Sequence, residues 1–423
     1  MALDSPAMEK NRRGEGMITR GLVERLFEAA SIQRWNDHVR PVEFVELDKQ
    51  AHKMVIAYVL GRFEETEREA KIDWSRLIEG GIFEFFQRVI LTDIKAPVFH
   101  QLMARKGREL NAWALSQLAV DIHPVGAGFS DRMQRYFFEP DYARLEKRIL
   151  RAAHYLATNW EFKIIYNASP FIYGIDRTRE EIENQIEDHY DLIGVQKIRL
   201  GKKSYGFVDL CGQLRFQQRW AQSPRIPKTS VLGHMLIVAM LSYCCSVDIG
   251  ACNRRMYNNF FAALFHDLPE VLTRDIVSPV KTSVAGLDSV IKEYEHIQME
   301  EKIMPLLPSA WHDEFRYFVE DEFSNKIRED GTIRKNVTFD EIQGHFNRDE
   351  FSPVDGVLLK ACDHFAAFVE ASLSIQHGIT ARPLEECRVS LPAKYLDVVI
   401  GGIDFGKLYD YFLAKTTDFT SGD

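Results

Sequence analysis

The stretch FFAALFHDLPEVLTRDIVSPVK, Phe260 to Lys281, runs six apolar residues into His266 and Asp267, then places Glu270 three positions on and Asp275 five beyond that. An unbroken apolar run of this kind reads as the end of a buried helix. It delivers ionisable side chains to a core, where an unpaired charge is costly. A His-Asp pair by itself is usually a surface accident, so the rest of the chain has to decide its meaning.

Apolar residues recur at three and four throughout, in LIVAMLSYCC (236–245), VLLKACDHFAAFVEASL (357–373) and RILRAAHYLATNWEFKII (148–165), while period-two alternation is scarce. The fold class is therefore all-α. The one strand candidate is KSYGFVDL, Lys203 to Leu210, near the middle of the chain. With 423 residues, 46% of them hydrophobic, there is material for more than one sizeable core. A net charge of −9 excludes a sequence-independent grip on nucleic-acid polymers, which needs a basic face, so any nucleotide ligand is small. The first residues lack an apolar segment of the kind that directs export. The run HMLIVAMLSYCC falls short of the ~20 residues that span a bilayer, so no membrane partner is expected and the location expected is cytoplasmic. The six cysteines (Cys211, Cys244, Cys245, Cys252, Cys362, Cys387) include no C-x-x-C pair and read as reduced thiols.

Internal similarity is present. SIQRWNDHVRPVEFVELDKQAHKMVIAYVL (31–60) matches RFQQRWAQSPRIPKTSVLGHMLIVAML (215–241), VILTDIKAPV (89–98) matches EVLTRDIVSPV (270–280) with one residue missing, and ILRAAHYLATNWE (149–161) matches LLKACDHFAAFVE (358–370) without a gap. Three matches in one order predict a duplicated architecture, residues 1–200 and 201–423. The second half carries a charged insertion near 320–350.

Imidazole and carboxylate are the ligands of divalent ions. His234 shares a helical face with Ile237, Val238 and Leu241, and Asp363 lies on the apolar stripe of Leu359 and Ala366. Taken singly, His234 reads equally as a core histidine bonded to backbone and Asp363 as half of a helix-helix salt bridge. With His266 and Asp267 they make a set of four ligands for one ion.

The pattern H…HD…D resembles the HD superfamily of metal-dependent phosphohydrolases, most closely the bacterial 5'-deoxynucleotidase subgroup. The resemblance covers about 215–376 and extends to Arg219-Trp220 ahead of His234 and to HDxxEVLTxD followed by PVK. It implies that His234, His266, Asp267 and Asp363 bind one divalent metal ion (Mn, Co, Mg, Zn, Ni or Fe). It also implies that Arg219 meets the 5'-phosphate, Trp220 packs on the sugar and disfavours a 2'-hydroxyl, Glu270 transfers a proton and Asp275 touches the sugar. Lys281 is a second candidate phosphate contact, or an exposed turn lysine. Two departures stand out: GHM replaces the family's EHS or EHT at His234, and Arg274 replaces the glycine of LTG.

Carried onto the first half, the matches put Phe85 and Phe86 at His266 and Asp267, Val89 at Glu270 and His154 at Asp363. His52 is left as the surviving ligand in a Phe-rich pocket, beside Arg34, Trp35 and Asp93. The expectation is a tandem HD-type protein with a degenerate first domain. Its second half would be a phosphomonoesterase of small nucleotides, of the 5'-nucleotidase kind, and homo-oligomerisation is compatible with it. Alternatives are another HD enzyme (a nucleotide phosphodiesterase or dNTP hydrolase) or a nucleotide-binding regulatory module with little turnover.

Overall fold

The structure, a computed structural model, describes residues 18–92, 94, 96–274 and 284–414. Its α-helices of seven or more residues are α1 Arg20–Glu28, α2 Glu46–Arg68, α3 Trp74–Leu91, α4 Ala96–Ile122, α5 Phe129–Phe138, α6 Arg144–Ala168, α7 Ile175–Glu187, α8 Ile193–Arg199, α9 Lys203–Gln213, α10 Val231–Asp248, α11 Asn253–Phe265, α12 Leu287–Gln298, α13 His312–Val319, α14 Gly356–Gln376, α15 Arg382–Tyr395 and α16 Phe405–Leu413. The fold is all-α. The insertion is not a bare excursion. It forms β1 Asn325–Glu329 and β2 Thr332–Lys335, and β1 also pairs antiparallel with β3 Val354–Asp355. Ile327, Val337 and Ile342 make a small apolar patch of its own beneath them.

The segment predicted as a strand, Lys203–Leu210, is the start of α9. Its buried residues Phe207, Val208, Cys211 and Gly212 follow helical spacing. The window ending at Leu210 cut that pattern in half.

Helix α10 is buried from Val231 to Val247, apolar on every side, and so belongs at the centre. Among the described residues it is the one helix long and apolar enough to cross a membrane, and 94% of it is covered by the rest of the chain. Ser230 caps it, its hydroxyl accepting from the Gly233 N–H at 2.9 Å. Around it pack α11, α14 and, from the first half, α2. One contiguous apolar core runs from Ile18 to Phe412 through both halves. The six cysteines are free thiols.

The crossing of α2 over α10 is close. A Cβ on Gly233 would stand 2.8 Å from both Asp48 Oδ1 and Leu47 Cδ2, so the glycine of GHM is a packing requirement. Asp48 in turn accepts from the Ser230 hydroxyl at 2.6 Å. Burial pushes the Asp48 carboxyl up to about 6, against the pull of Arg215 and Ser230. An acid whose pKa rises on folding favours the folded state at low pH and loses that contribution as pH climbs through its folded pKa. Stability should therefore fall by about 2 kcal/mol between pH 4 and pH 6–7 on account of this group. Denaturant titrations across that range should show the decline, and Asp48→Asn should flatten it. An unchanged slope in the variant would assign the pH dependence elsewhere.

Two loops share an unusual geometry. Gln33 bridges to Val45 and Gln218 to Ser230, both antiparallel, and within them Trp35 and Trp220 hold φ of 60° and 59°. A left-handed tryptophan is strained unless its surroundings fix it. In both loops the indole N–H donates to a buried glutamate: Trp35 to Glu161 at 2.8 Å and Trp220 to Glu370 at 2.9 Å.

Candidate metal centre

His234 comes from the first turn of α10, His266 caps the end of α11 and Asp363 sits in the middle of α14. One ligand atom from each lies within 4.8 Å of the other two, and all three residues are buried. His234 Nε2 is 3.1 Å from Asp363 Oδ1. His266 Nδ1 is 2.7 Å from the Ala263 carbonyl, which fixes that nitrogen as the N–H donor and leaves Nε2 as the acceptor. That Nε2 is buried, makes no hydrogen bond and lies 3.2 Å from Asp267 Oδ2. A buried acceptor with nothing donating to it, beside two carboxylates, fits a cation.

Electrostatics hold the carboxylates ionised. Burial opposes the charge on Asp267, but His266 and Arg219 keep it well below the usual carboxylate range. Asp363 is likewise lowered against burial, by Lys360 and His234. Lys360 Nζ stands 2.9 Å from Asp363 Oδ2. Burial depresses the His266 imidazolium, yet Asp267 and Asp363 together lift it to about 8, so a cation bound at Nε2 would take the place of a proton there.

The residues predicted on the substrate side are partly assembled here. Arg219 Nη1 is 3.5 Å from Asp267 Oδ2, so its guanidinium borders the centre. Trp220 is pinned to Glu370 as described. Glu270 is buried at the start of a single helical turn, Glu270–Thr273, and its carbonyl accepts from Gln217 Nε2 at 3.0 Å. Asp275 and Lys281, like Asp93 in the first half, lie outside the described residues.

Glu370 was missed in the sequence, and it organises the site. It is 1% exposed and accepts from Thr229 Oγ1 at 2.7 Å as well as from Trp220. Arg219 Nε approaches it at 3.5 Å, Arg225 Nη1 at 3.4 Å and His234 Nδ1 at 3.5 Å. The acidic partner that GHM lacks beside His234 in sequence thus arrives from α14. Glu370 follows Asp363 by seven residues, two helical turns, which puts both carboxylates on one face.

Arg274, in place of the LTG glycine, holds φ 66° and ψ 160°, a region populated almost only by glycine at a cost of about 1–3 kcal/mol to other residues. Arg274→Gly is expected to stabilise the fold by about 1 kcal/mol once glycine's larger entropy loss is subtracted. A guanidinium titration with a lower midpoint for the variant would contradict that strain.

The first half departs from its expected reading. Lys49, not His52, stands where the register of loop and helix puts His234: 49 − 35 = 14 and 234 − 220 = 14 from the tryptophans. Lys49 Nζ contacts His154 Nδ1 much as His234 contacts Asp363. His52 instead points at α9, its Nε2 2.9 Å from the Val208 carbonyl. Nor is the pocket phenylalanine-rich. Phe85 and Phe86 are buried in the core, and the residues of α3 that meet the polar cluster are Glu84, 2.6 Å from Lys53 Nζ, and Arg88, whose Nε is 3.8 Å from Glu46 Oε1. Arg34 pairs with Glu46 at 2.7 Å and Glu161 at 3.0 Å. Burial drives the Lys49 ammonium well below the lysine range.

Residues 211–390 match the family model of the HD domain. The second half of this chain carries an HD domain. The HD region resembles curated 5'-deoxynucleotidases at low identity. That of Vibrio vulnificus is 29% identical over 126 residues, 28% of this chain and 61% of that protein. That of Pectobacterium atrosepticum is 26% identical over 130 residues, 29% of this chain and 63% of that protein. That of Vibrio parahaemolyticus is 28% identical over 144 residues, 32% of this chain and 70% of that protein. The HD protein thus spans about three fifths of the length of the first two relatives. No solved structure matches it significantly.

Proposed function

We propose that this protein is a metal-dependent phosphohydrolase that removes phosphate from small nucleotides, with deoxynucleoside 5'-monophosphates as its substrates. The observation that carries the reading is the convergence of His234, His266 and Asp363 within 4.8 Å of one another, with Asp267 beside them and the Arg219 guanidinium at their edge. The curated relatives, named as 5'-deoxynucleotidases, support the substrate class.

His234, His266, Asp267 and Asp363 would hold one divalent ion. Such an ion, when bound, polarises a phosphoryl oxygen and makes water acidic enough to attack at neutral pH. Arg219 offers a planar fork of donors to the phosphate oxygens. Trp220, its indole fixed by Glu370, presents a rigid face to the sugar. Glu270, buried close in sequence to the ligands, would protonate the leaving alkoxide. The first half, with Lys49 and His154 at the places of two ligands, would be a catalytically silent domain made by duplication.

The test is a screen of nucleotides and phosphate esters with Mn²⁺, Co²⁺, Mg²⁺, Zn²⁺, Ni²⁺ and Fe²⁺. Orthophosphate release from deoxynucleoside monophosphates, slower from their ribo counterparts, is the expected result. Release of tripolyphosphate from deoxynucleoside triphosphates, cleavage confined to phosphodiesters, or binding without turnover would each replace the proposal. Arg219→Ala should lower kcat/KM on monophosphates by ~10² with metal content intact. Loss of the metal along with the activity would move Arg219 from substrate binding to support of Asp267.

A further inference from the structure

Beside the centre, the loop between Gln218 and Lys228 encloses a cavity of about 230 Å³. Arg219, Arg225 and Lys228 line it, with Ser223, Gln218 and Gln222, and no carboxylate is among its lining residues. It falls below the ~300–1,000 Å³ of sites for drug-sized molecules, so it suits an ion-sized group.

Arg225 is the unusual member. It is 5% exposed, and burial holds its guanidinium below the ordinary arginine value despite Glu370. Its Nη2 donates to Thr229 Oγ1 and, at 3.2 Å, to the Pro227 carbonyl. Its Nε and Nη1 are buried without a hydrogen-bond partner, although Nη1 lies 3.4 Å from the shared carboxylate of Glu370. The Ser223 hydroxyl in the same lining is also buried without a partner. Glu370 is already the counter-charge of Arg225, but it is shared with Arg219, and the guanidinium keeps hydrogen-bond donors that this carboxylate does not use.

The loop of matching geometry in the first half provides an internal comparison. Arg40 stands five residues after Trp35, as Arg225 stands five after Trp220 (40 − 35 = 5; 225 − 220 = 5). Arg40 is satisfied by its own loop, donating to Asn36 Oδ1 and Gln33 Oε1, each at 3.1 Å, and to the Arg34 carbonyl. In the second half the corresponding arginine borders a cavity, and its Nε and Nη1 are left without a hydrogen bond.

We propose that this cavity is a phosphate-binding subsite separate from the metal centre, in which Arg225 and Lys228 supply charge and Ser223 a hydroxyl donor. The phosphate has two chemical sources: the second phosphate of a nucleotide whose first stands at Arg219, or free orthophosphate.

The test is calorimetry on the full chain, stripped of metal and dialysed, with orthophosphate, a deoxynucleoside 5'-monophosphate and the corresponding diphosphate. Hydrolysis is not read, so the outcome stands apart from whether the protein is a phosphatase. Lys228→Gln and Ser223→Ala accompany Arg225→Gln, because the buried arginine variant can fail to fold while the exposed Lys228 variant should not. If the substrate supplies the phosphate, the diphosphate binds at least tenfold tighter than the monophosphate and Lys228→Gln removes most of that preference. If free phosphate is the ligand, orthophosphate binds alongside saturating monophosphate and Lys228→Gln weakens it at least fivefold. One-for-one competition between orthophosphate and monophosphate with no preference for the diphosphate would overturn the subsite. So would anion affinities that neither Lys228→Gln nor Ser223→Ala changes.

Discussion

His234→Ala is expected to leave purified protein without bound metal and without detectable phosphatase activity, while His52→Ala keeps both. The two histidines lie on neighbouring helices and are both 0% exposed, so burial does not separate them; their partners do. His234 Nε2 faces Asp363 and, with His266, forms the set that fits an ion. His52 bonds a backbone carbonyl and packs edge-on against Trp160, ring centroids 5.2 Å apart. Loss of His52 removes its hydrogen bond to the Val208 carbonyl, a cost of about 0.5–1.5 kcal/mol, and opens a void beside Trp160. Its signature is a lower melting temperature with an unchanged metal-to-protein ratio. Elemental analysis and thermal melts on both variants decide the matter. Retention of the ion by the His234 variant would refute the ligand set, and loss of the ion on His52→Ala would place the centre in the wrong half.

The second large effect is expected at Glu370. Glu370→Ala removes the common acceptor of Trp220 and Thr229 and the counter-charge of Arg219 and Arg225 in one step. Breaking a buried ion pair from one side costs about 3–5 kcal/mol, and loss of a group that orients a metal-bound histidine lowers metal affinity about 10–100-fold. Glu370→Gln keeps the shape and part of the hydrogen bonding, so it should fold better than the alanine variant. Having lost the charge, it should still bind metal more weakly than wild type and raise KM as Arg219 and Trp220 lose their fixed point. Metal titration, denaturant unfolding and steady-state kinetics on both variants test this. A Glu370→Gln protein with wild-type metal affinity and KM would reduce Glu370 to a packing role.

The ligand set was legible in the sequence because its members are types that rarely sit unpaired on apolar helical faces. His234 and Asp363 interrupt stripes that are otherwise aliphatic, and His266 ends a run of six apolar residues. Glu370 escaped because a glutamate near the end of an amphipathic helix looks solvated, and only its spacing from Asp363 betrayed its face. The repeated glutamates in ILRAAHYLATNWE and LLKACDHFAAFVE carried the same signal. His52 was set against His234 because histidine was matched to histidine. The distance from each tryptophan to its helix, which the backbone geometry preserves, points to the lysine. Helix α9 was read as a strand because half of its buried face lay beyond the window.

Gly233 ties the second half of the chain to the first. With no side chain at that position, α10 takes the Leu47 and Asp48 side chains of α2 as part of its own wall. A chain without α2 would show water that same surface. Shedding residues 1–200 would uncover a bare stretch of the helix that carries His234 and deprive Ser230 of its partner. Residues 1–200 thus act as a scaffold for the helix that carries His234, and substitutions there are tolerated only where they leave that wall intact.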